Sequence, residues 1–310
     1  MEWLERYEAD LSYVFRETEC IIAAFPSPLN TKGLSYLSHF NPLEENSAKN
    51  YICYLLPFWL METAGLSAED ARKLSIGNVC AMLYFFIQDD CMDSSSPQDK
   101  EQLPLGNLLY LQFLDIYRGY FPSESRFWSY FRQYLHEWAE GVTNEHTADY
   151  FRVNPLFIAR KAAPLKLSST GTLLLTGGED QIPAVTDLVE HVLATLQMAD
   201  DWADWREDLE EGSYNSLLSL IRSQFAPAEP LSADRVEHYI AVHGILRSYT
   251  AVAEANHEHI KQAPLNIPQL LSFHEHILLS IQEDANRIED ERNALQKGGL
   301  SLWLLNHIKS

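Results

Sequence analysis

Two groups of aspartates, about 110 residues apart, have the residue types and spacing that best fit a defined chemistry in this chain. Each group directly follows an apolar stretch, residues 80–87 for the first group and 192–196 for the second. The first group consists of Asp89, Asp90 and Asp93, and the second of Asp200, Asp201, Asp204 and Asp208.

Aspartates four residues apart share one face of a helix and lie about 6 Å apart along its axis. Carboxylates crowded in this way repel each other, so a fold keeps them together where a cation neutralises them. Mg²⁺ prefers a few carboxylates together with phosphate oxygens and water. The spacing therefore predicts a diphosphate bound through Mg²⁺ between two helices. The predicted metal ligands are Asp89, Asp93, Asp200, Asp204 and Asp208.

The elements that must position these residues are helices. Almost every segment has helical periodicity, and convincing alternating strands are absent from the sequence. The pattern predicts an all-α bundle of roughly ten helices that forms a single domain over residues 1–310. Predicted helices span residues 2–22, 47–64, 67–93, 105–119, 124–145, 155–176, 181–211, 214–224, 232–262, 267–297 and 300–308. Ser67, with Asp70, and Ser232 are the predicted starts of two of them.

Composition limits the classes of partner. The 310 residues are 46% hydrophobic and carry a formal net charge of −21, from 44 acidic and 23 basic residues. This charge disfavours binding to nucleic acid or to anionic membrane surfaces, because both would repel the protein. No apolar stretch reaches the ~18 residues of a membrane span, the first residues lack the order of a signal peptide, and the four cysteines have no paired spacing. We therefore expect a soluble cytoplasmic protein with reduced thiols.

Aromatic and cationic residues near the aspartates suggest the reaction. An allylic diphosphate leaves when metals and nearby cations stabilise its negative charge, and apolar walls must then shield the carbocation from water. Tyr84, Phe85 and Phe86 lie one turn before the first group and are predicted to line the cavity. Phe58, Trp59, Trp138 and Phe157 are further wall candidates, and the candidate cations are Arg160, Lys161 and Lys166.

These motifs resemble those of a known superfamily. Asp89-Asp90-x-x-Asp93 resembles the first aspartate-rich motif of class I terpenoid synthases and trans-prenyl diphosphate synthases. Gln197-x-x-Asp200-Asp201-x-x-Asp204 resembles the second motif of the prenyl synthases. The row Asp200, Asp204, Asp208 has the spacing of the cyclases' Asn-Ser-Glu metal triad, and segment 157–165 with Lys161 resembles the prenyl synthases' diphosphate-contacting lysine segment. The resemblance covers roughly residues 75–215.

The resemblance implies the class I isoprenoid synthase fold with a central active-site cavity, Mg²⁺ dependence and ionisation of a prenyl diphosphate. Helical synthases of this kind often resemble dimers, so a homodimer is one alternative, and the sequence leaves the oligomeric state open. Asp90 and Asp201 would orient or support the ligands. The implied catalytic residues are Asp89, Asp90, Asp93 and Lys161, and the implied substrate-binding residues are Arg160, Lys161, Asp201, Gln197, Tyr84, Phe85 and Phe86.

Two departures from the prenyl synthase pattern favour a reaction with one substrate. The Gly-Lys-x-x-Arg segment that helps these enzymes bind isopentenyl diphosphate is absent from residues 38–54, where Lys49 is the only lysine or arginine. Ser94-Ser95-Ser96-Pro97-Gln98-Asp99-Lys100 follows the first motif in place of an arginine pair. The sequence therefore favours a Mg²⁺-dependent class I terpene synthase, a carbon–oxygen lyase. It would convert one allylic diphosphate of about the C15 to C20 class into a cyclic or linear terpene.

Two alternatives stay open. One is a short-chain trans-prenyl diphosphate synthase with an atypical isopentenyl diphosphate site, because the cyclase pattern is imperfect too: aspartates replace its Asn and Ser. The other is a non-catalytic acidic helical protein that binds a cation or a partner. A transition-metal site is not predicted, because the histidines of His257-Glu258-His259 and His274-Glu275-His276 are spaced i and i+2 and point to different helix faces.

Overall fold

The structure is a computed structural model that describes residues 2–45, 47–93, 100–145, 147–225 and 229–307. These residues form fourteen α-helices and two 3₁₀ segments and contain no strand. The helices are α1 Glu2–Glu5, α2 Glu8–Ala23, α3 Leu29–His39, α4 Tyr51–Ala64, α5 Ala68–Asp93, α6 Leu103–Tyr120, α7 Phe127–Thr143, α8 Tyr150–Val153, α9 Lys166–Thr176, α10 Ile182–Glu211, α11 Ser216–Phe225, α12 Ala233–Ala241, α13 Ile245–Gln262 and α14 Pro268–His307. The 3₁₀ segments are Pro155–Leu165 and Glu179–Gln181.

The chain packs as two compact units. Unit 1 comprises Met1–His136, Pro164–Thr186 and Leu265–Leu270, and unit 2 comprises Glu137–Ala163, Asp187–Pro264 and Leu271–Ser310. Because each unit is assembled from three stretches of chain, the boundary does not divide the sequence into two consecutive domains. That residues 1–310 form one domain stays a prediction.

Helix α5 in unit 1 is held by hydrogen bonds from polar side chains inside an apolar core. Buried Asn78 donates to Ser168 Oγ of α9 at 2.9 Å and accepts from the Tyr117 hydroxyl of α6 at 2.6 Å. Ser75 Oγ donates to the Tyr54 carbonyl of α4 at 2.7 Å. These bonds fix the rotation of α5 against three neighbours, and so fix the face on which its last turn presents aspartates.

From Asp187 onward helix α10 belongs to unit 2, where it is fixed in a similar way. Buried Asn256 of α13 donates to Thr195 Oγ1 at 3.0 Å, and the Tyr249 hydroxyl donates to the Met198 carbonyl at 2.9 Å. These contacts tie the α10 turns just before the second aspartate group to α13.

Among the described residues, no helix combines the length and the apolar character that a membrane span requires.

Several predicted helix boundaries are confirmed. Ser67 caps α5, because its Oγ accepts from the Asp70 backbone N–H at 3.1 Å and donates to the Asp70 carboxylate at 2.6 Å. Ser232 immediately precedes α12. Helix α10 ends at Glu211, before Gly212 with φ of 77°, a value that favours glycine.

Other boundaries are wrong. The predicted α-helix 155–176 is a 3₁₀ segment up to Leu165, because Pro164 has no N–H to donate and would clash inside an α-helix. The predicted helix 232–262 is broken between α12 and α13, where Gly244 has φ of 65°. Helix α3 was not predicted, and the predicted helices 267–297 and 300–308 form the single helix α14, which runs through Gly298 and Gly299.

Candidate active site

The first aspartate group lies at the C-terminal end of α5 in unit 1. Asp89 and Asp90 are exposed, and Asp93 is the last residue of the helix. The Asp93 side chain and residues 94–99, where the sequence has no arginine pair, lie outside the described residues. The Tyr36 hydroxyl of α3 donates to Asp90 Oδ2 at 2.8 Å. Burial, the hydrogen bond to Asp90 and the charge of Asp89 raise the Tyr36 pKa, so this phenol stays protonated and orients Asp90.

The three aromatic residues preceding this group are half-buried. The Tyr84 ring stacks on Tyr110 of α6 with centroids 4.6 Å apart and also contacts Phe85 at 5.0 Å. Phe86 packs against Phe40 at 5.0 Å. Each ring keeps part of its surface accessible, as a residue that lines a substrate cavity must.

Two other wall candidates belong to the core instead. Phe58 and Trp59 are almost completely buried: Phe58 packs on Tyr7, and the Trp59 indole donates to the Trp3 carbonyl at 3.1 Å. Their prediction as wall residues is wrong, because Trp3 of α1 and Tyr7, which lies between α1 and α2, pack against them.

An open groove of about 890 Å³ in unit 1 includes Tyr36, the partner of Asp90. Its charged side chains are Lys32, Glu44 and Glu45, and it also contains His39. Lys32 is bonded to Glu101 at 3.1 Å. The groove therefore carries no surplus of positive charge over its described residues, and its chemistry is poorly suited to an anionic ligand.

The second aspartate group lies on α10 in unit 2, with Asp200, Asp204 and Asp208 spaced as a row along one face. Asp200 and Asp204 are exposed, and Asp208 is half-buried. Although the Asp200 side chain reaches solvent, desolvation by surrounding protein atoms, followed by repulsion from Asp201 and Asp204, raises its pKa to about 7. Over the part of the chain that the structure describes, Asp200, Asp204 and Asp208 form no ion pair with a lysine or arginine.

Asp201 points the other way, into the protein. Its carboxylate accepts hydrogen bonds from Gln197 Nε2 at 2.8 Å, from the Ser216 backbone N–H at 2.7 Å and from Ser216 Oγ. Ser216 Oγ in turn lies 2.6 Å from the Tyr249 hydroxyl. Burial nevertheless raises the Asp201 pKa, an effect that these donors partly offset. This buried network fixes the rotation of α10, and with it the direction of the exposed row.

Asn215 links the row to the start of α11. Its side-chain oxygen accepts from the Leu218 backbone N–H at 3.1 Å, which caps the helix. Its Nδ2 donates to Asp208 Oδ2 at 2.8 Å and to the Asp201 carbonyl at 2.6 Å. The Asp208 pKa is raised by burial and by neighbouring aspartates, while the Asn215 bond lowers it. Asn215 and Ser216 were missed from the sequence, although an Asn directly before a helix is a capping signal.

Lys161 lies beside this network. It shares a cavity of about 10 Å³ with Gln197 and Asp201, room for about one water molecule, and its positive charge lowers the pKa of both Asp201 and Asp208. Its ammonium is ion-paired with Glu145. Arg160, one residue earlier, is not brought to this cavity: its guanidinium lies 3.5 Å from Glu140 and 4.1 Å from the Phe157 ring centroid.

The donor chemistry of the row fits Mg²⁺. Asp200, Asp204 and Asp208 offer hard carboxylate oxygens on one helix face, and Asn215 fixes one of the three. In unit 1, Asp89 and Asp90 offer the same kind of donor. That the two groups hold one common ligand stays a prediction.

No protein-family profile matches the chain, and no curated protein matches its sequence. Solved structures do. A geranylgeranyl pyrophosphate synthase from Lactobacillus brevis aligns with a TM-score of 0.68 at 16% identity, over 88% of this chain and 96% of that one. A geranylgeranyl pyrophosphate synthetase from the archaeon Geoglobus acetivorans aligns with a TM-score of 0.64 at 17% identity, over 87% and 98% of the two chains. The predicted fold is confirmed: the chain has the all-α isoprenoid synthase fold.

Proposed function

We propose that this protein is a Mg²⁺-dependent enzyme that ionises an allylic prenyl diphosphate. The observation that carries the proposal is the exposed aspartate row of α10, which a buried network orients beside Lys161, in the fold of two geranylgeranyl pyrophosphate synthases. Asp200, Asp204 and Asp208 would hold Mg²⁺ in unit 2, and Asp89 and Asp93 would do so in unit 1. Bound Mg²⁺ supplies Lewis acidity that stabilises the negative charge of the departing diphosphate.

The protein's own residues have three tasks in this reaction. Asp201, Gln197 and Asn215 hold the row in its orientation, and Asp90, held by Tyr36, supports the first group. Lys161 contributes positive charge to the diphosphate when the bond from the allylic carbon to oxygen breaks and both electrons leave with oxygen. Tyr84, Phe85 and Phe86 exclude water and present aromatic faces to the cation.

For the fate of the cation, we favour transfer to isopentenyl diphosphate, with a new carbon–carbon bond and loss of a proton. This makes the protein a short-chain prenyl diphosphate synthase. The support is that both solved structures of this fold are named as geranylgeranyl pyrophosphate synthases. The Tyr84 ring, stacked on Tyr110 one turn before the first group, would restrict the length of the growing chain.

A terpene synthase that uses one substrate is the second candidate, and a specific observation favours it. The groove beside Tyr36 has Lys32 engaged with Glu101 and carries Glu44 and Glu45 as well, so it offers no excess positive charge for a second diphosphate. The lack of a Gly-Lys-x-x-Arg segment in residues 38–54 points the same way.

One assay separates these candidates. The purified protein is incubated with Mg²⁺ and geranyl, farnesyl or geranylgeranyl diphosphate, each with and without isopentenyl diphosphate, and products are identified by gas chromatography after dephosphorylation. A longer prenyl alcohol that forms only with isopentenyl diphosphate supports the prenyl synthase. A hydrocarbon that forms without it, or an alcohol other than the one that dephosphorylation of the substrate itself gives, identifies the terpene synthase. If no diphosphate is released from any substrate, the enzymatic proposal is wrong.

A further inference from the structure

Three metal-ligating side chains converge in unit 2 away from the aspartate row. Asp187 and His191 are four residues apart on α10, and His259 comes from α13. One ligand atom from each residue lies within 4.8 Å of the other two. His259 Nε2 is 2.6 Å from Asp187 Oδ2, and His191 Nδ1 is 3.9 Å from Asp187 Oδ1. If the His259 ring turns, the three side chains can supply ligands to one ion.

The proton on His191 is already placed for metal binding. Its Nδ1 lies 2.9 Å from the backbone carbonyl of Asp187, and a carbonyl can only accept, so Nδ1 carries the proton. The lone pair of Nε2 is then available to an ion. Metal-binding histidines usually donate their other N–H to a carbonyl or carboxylate in this way. His191 is 8% exposed, so packing fixes this orientation.

His259 is the ligand that must move. Its ring stacks on His191 with centroids 3.9 Å apart and planes at 8°, and two parallel rings cannot both point a lone pair at one ion. Its side chain is half-exposed, which gives the ring room to turn out of the stack. Its bond to Asp187 shows that the two side chains already reach each other across the α10–α13 contact.

We propose that Asp187, His191 and His259 bind a divalent transition metal, with Zn²⁺ as the expected ion and water in the fourth position. Two imidazoles and a carboxylate favour Zn²⁺, Ni²⁺ or Cu²⁺ over Mg²⁺, which prefers oxygen ligands. Asp187 precedes Asp200 by 13 residues, about 20 Å along α10, so this ion is distinct from the Mg²⁺ of the proposed reaction. The bound ion would join α10 to α13.

The test is Zn²⁺ binding to the full chain, measured by competition with a chromogenic chelator in excess Mg²⁺, which occupies the aspartate groups. We expect one site per chain in the unmodified protein and at least ~10-fold weaker binding in Asp187→Asn/His259→Ala. Both replaced side chains are partly exposed, so the variant should fold, and circular dichroism checks this. Asp234→Asn/His238→Ala is the matched control, since it removes another Asp–His pair four residues apart, on α12.

A second measurement reports the ligands directly. Co²⁺ bound by two histidines and a carboxylate absorbs visible light, and this absorption should disappear in Asp187→Asn/His259→Ala and persist in the control. Asp200→Asn/Asp204→Asn should keep both Zn²⁺ affinity and the Co²⁺ spectrum, whatever its effect on prenyl diphosphate chemistry. Equal Zn²⁺ binding by the Asp187→Asn/His259→Ala variant and the control, or no binding by the unmodified protein, would overturn the site.

Discussion

The two aspartate groups have similar sequences but different surroundings. Asp90 of the first group is exposed and receives one hydrogen bond, from Tyr36. Asp201 of the second group is buried and receives three, from Gln197 and twice from Ser216. Two aspartate groups with similar motif spacing therefore differ in how firmly the surrounding residues hold them. Buried hydrogen bonds in unit 2 hold the second group in place, whereas the position of the first group depends mainly on that of α5.

The largest expected effect is on catalysis and involves both groups. Asp89→Asn combined with Asp204→Asn should slow diphosphate release from an allylic prenyl diphosphate at least about 1,000-fold, because the metal loses ligands that stabilise the leaving group. A coupled assay for released diphosphate measures this rate. The control is Asp115→Asn combined with Glu210→Gln, which removes two exposed charges, the second on the side of α10 opposite to Asp208. If the double variant releases diphosphate as fast as the control does, Asp89 and Asp204 are not the metal ligands of the reaction.

A stability experiment tests the difference between the groups. Asp201→Ala should lower the free energy of unfolding by about 2 to 4 kcal/mol, because buried donors of Gln197 and Ser216 lose their acceptor. Asp90→Ala should cost less than about 1 kcal/mol, since water replaces the carboxylate beside Tyr36. Urea denaturation of both variants gives the two values. If both variants lose the same free energy of unfolding, the two aspartate groups are held equally firmly and the proposed difference is wrong.

The core of unit 2 should also make the protein sensitive to acid. Burial, helped by repulsion from His257 and His191, lowers the His274 pKa to about 3, and its partners are Thr195 Oγ1 at 2.8 Å and His257 at 3.0 Å. The unfolded chain therefore binds this proton more readily than the native state, and stability falls as pH drops below about 6.5.

This histidine should account for about 2 kcal/mol of the stability lost between pH 7 and pH 5. His274→Gln should show a loss smaller by that amount, measured by urea denaturation at the two pH values. His276→Gln, at an exposed position two residues later, should behave like the unmodified protein. If His274→Gln keeps the full acid sensitivity, other groups are responsible.

The smallest effect is expected from Tyr36→Phe, which removes the bond to exposed Asp90. The free energy of unfolding should fall by about 0.5 kcal/mol. The KM for Mg²⁺ should rise measurably if Tyr36 orients Asp90, and kinetics at varied Mg²⁺ check this. Tyr13→Phe, which changes another partly exposed tyrosine of unit 1, serves as the control.

Much of the fold followed from local signals. The predicted bounds 67–93 and 181–211 lie within one residue of α5 and α10, because Ser67 caps the first and Gly212 follows the end of the second. The 3₁₀ segment was missed, because its residues are apolar almost throughout and so show neither period, and only Pro164 marks the change. Helix α3 was missed because its short sequence after Pro28 lacks a clear apolar face.

Sequence spacing predicted the candidate site only where its residues lie on the same helix. The row on α10 and the 39-residue separation of Lys161 from Asp200 along the chain could be read directly. Tyr36 lies 54 residues before Asp90, and Ser216 lies 15 residues after Asp201 across a turn. Similarly, His259 meets His191 from 68 residues away, so no local pattern indicated the pair. Such partners depend on tertiary packing, which helical periodicity does not determine.

The 3₁₀ geometry of Pro155–Leu165 limits how this part of the protein can vary in length. With three residues per turn, Ile158 and Lys161 lie directly in line, and both border the cavity beside Asp201. Deleting or inserting one residue would turn Lys161 by roughly 120° and move it by about 2 Å along the axis. Related chains that keep this lysine over the same cavity should therefore differ here in whole turns, by multiples of three residues.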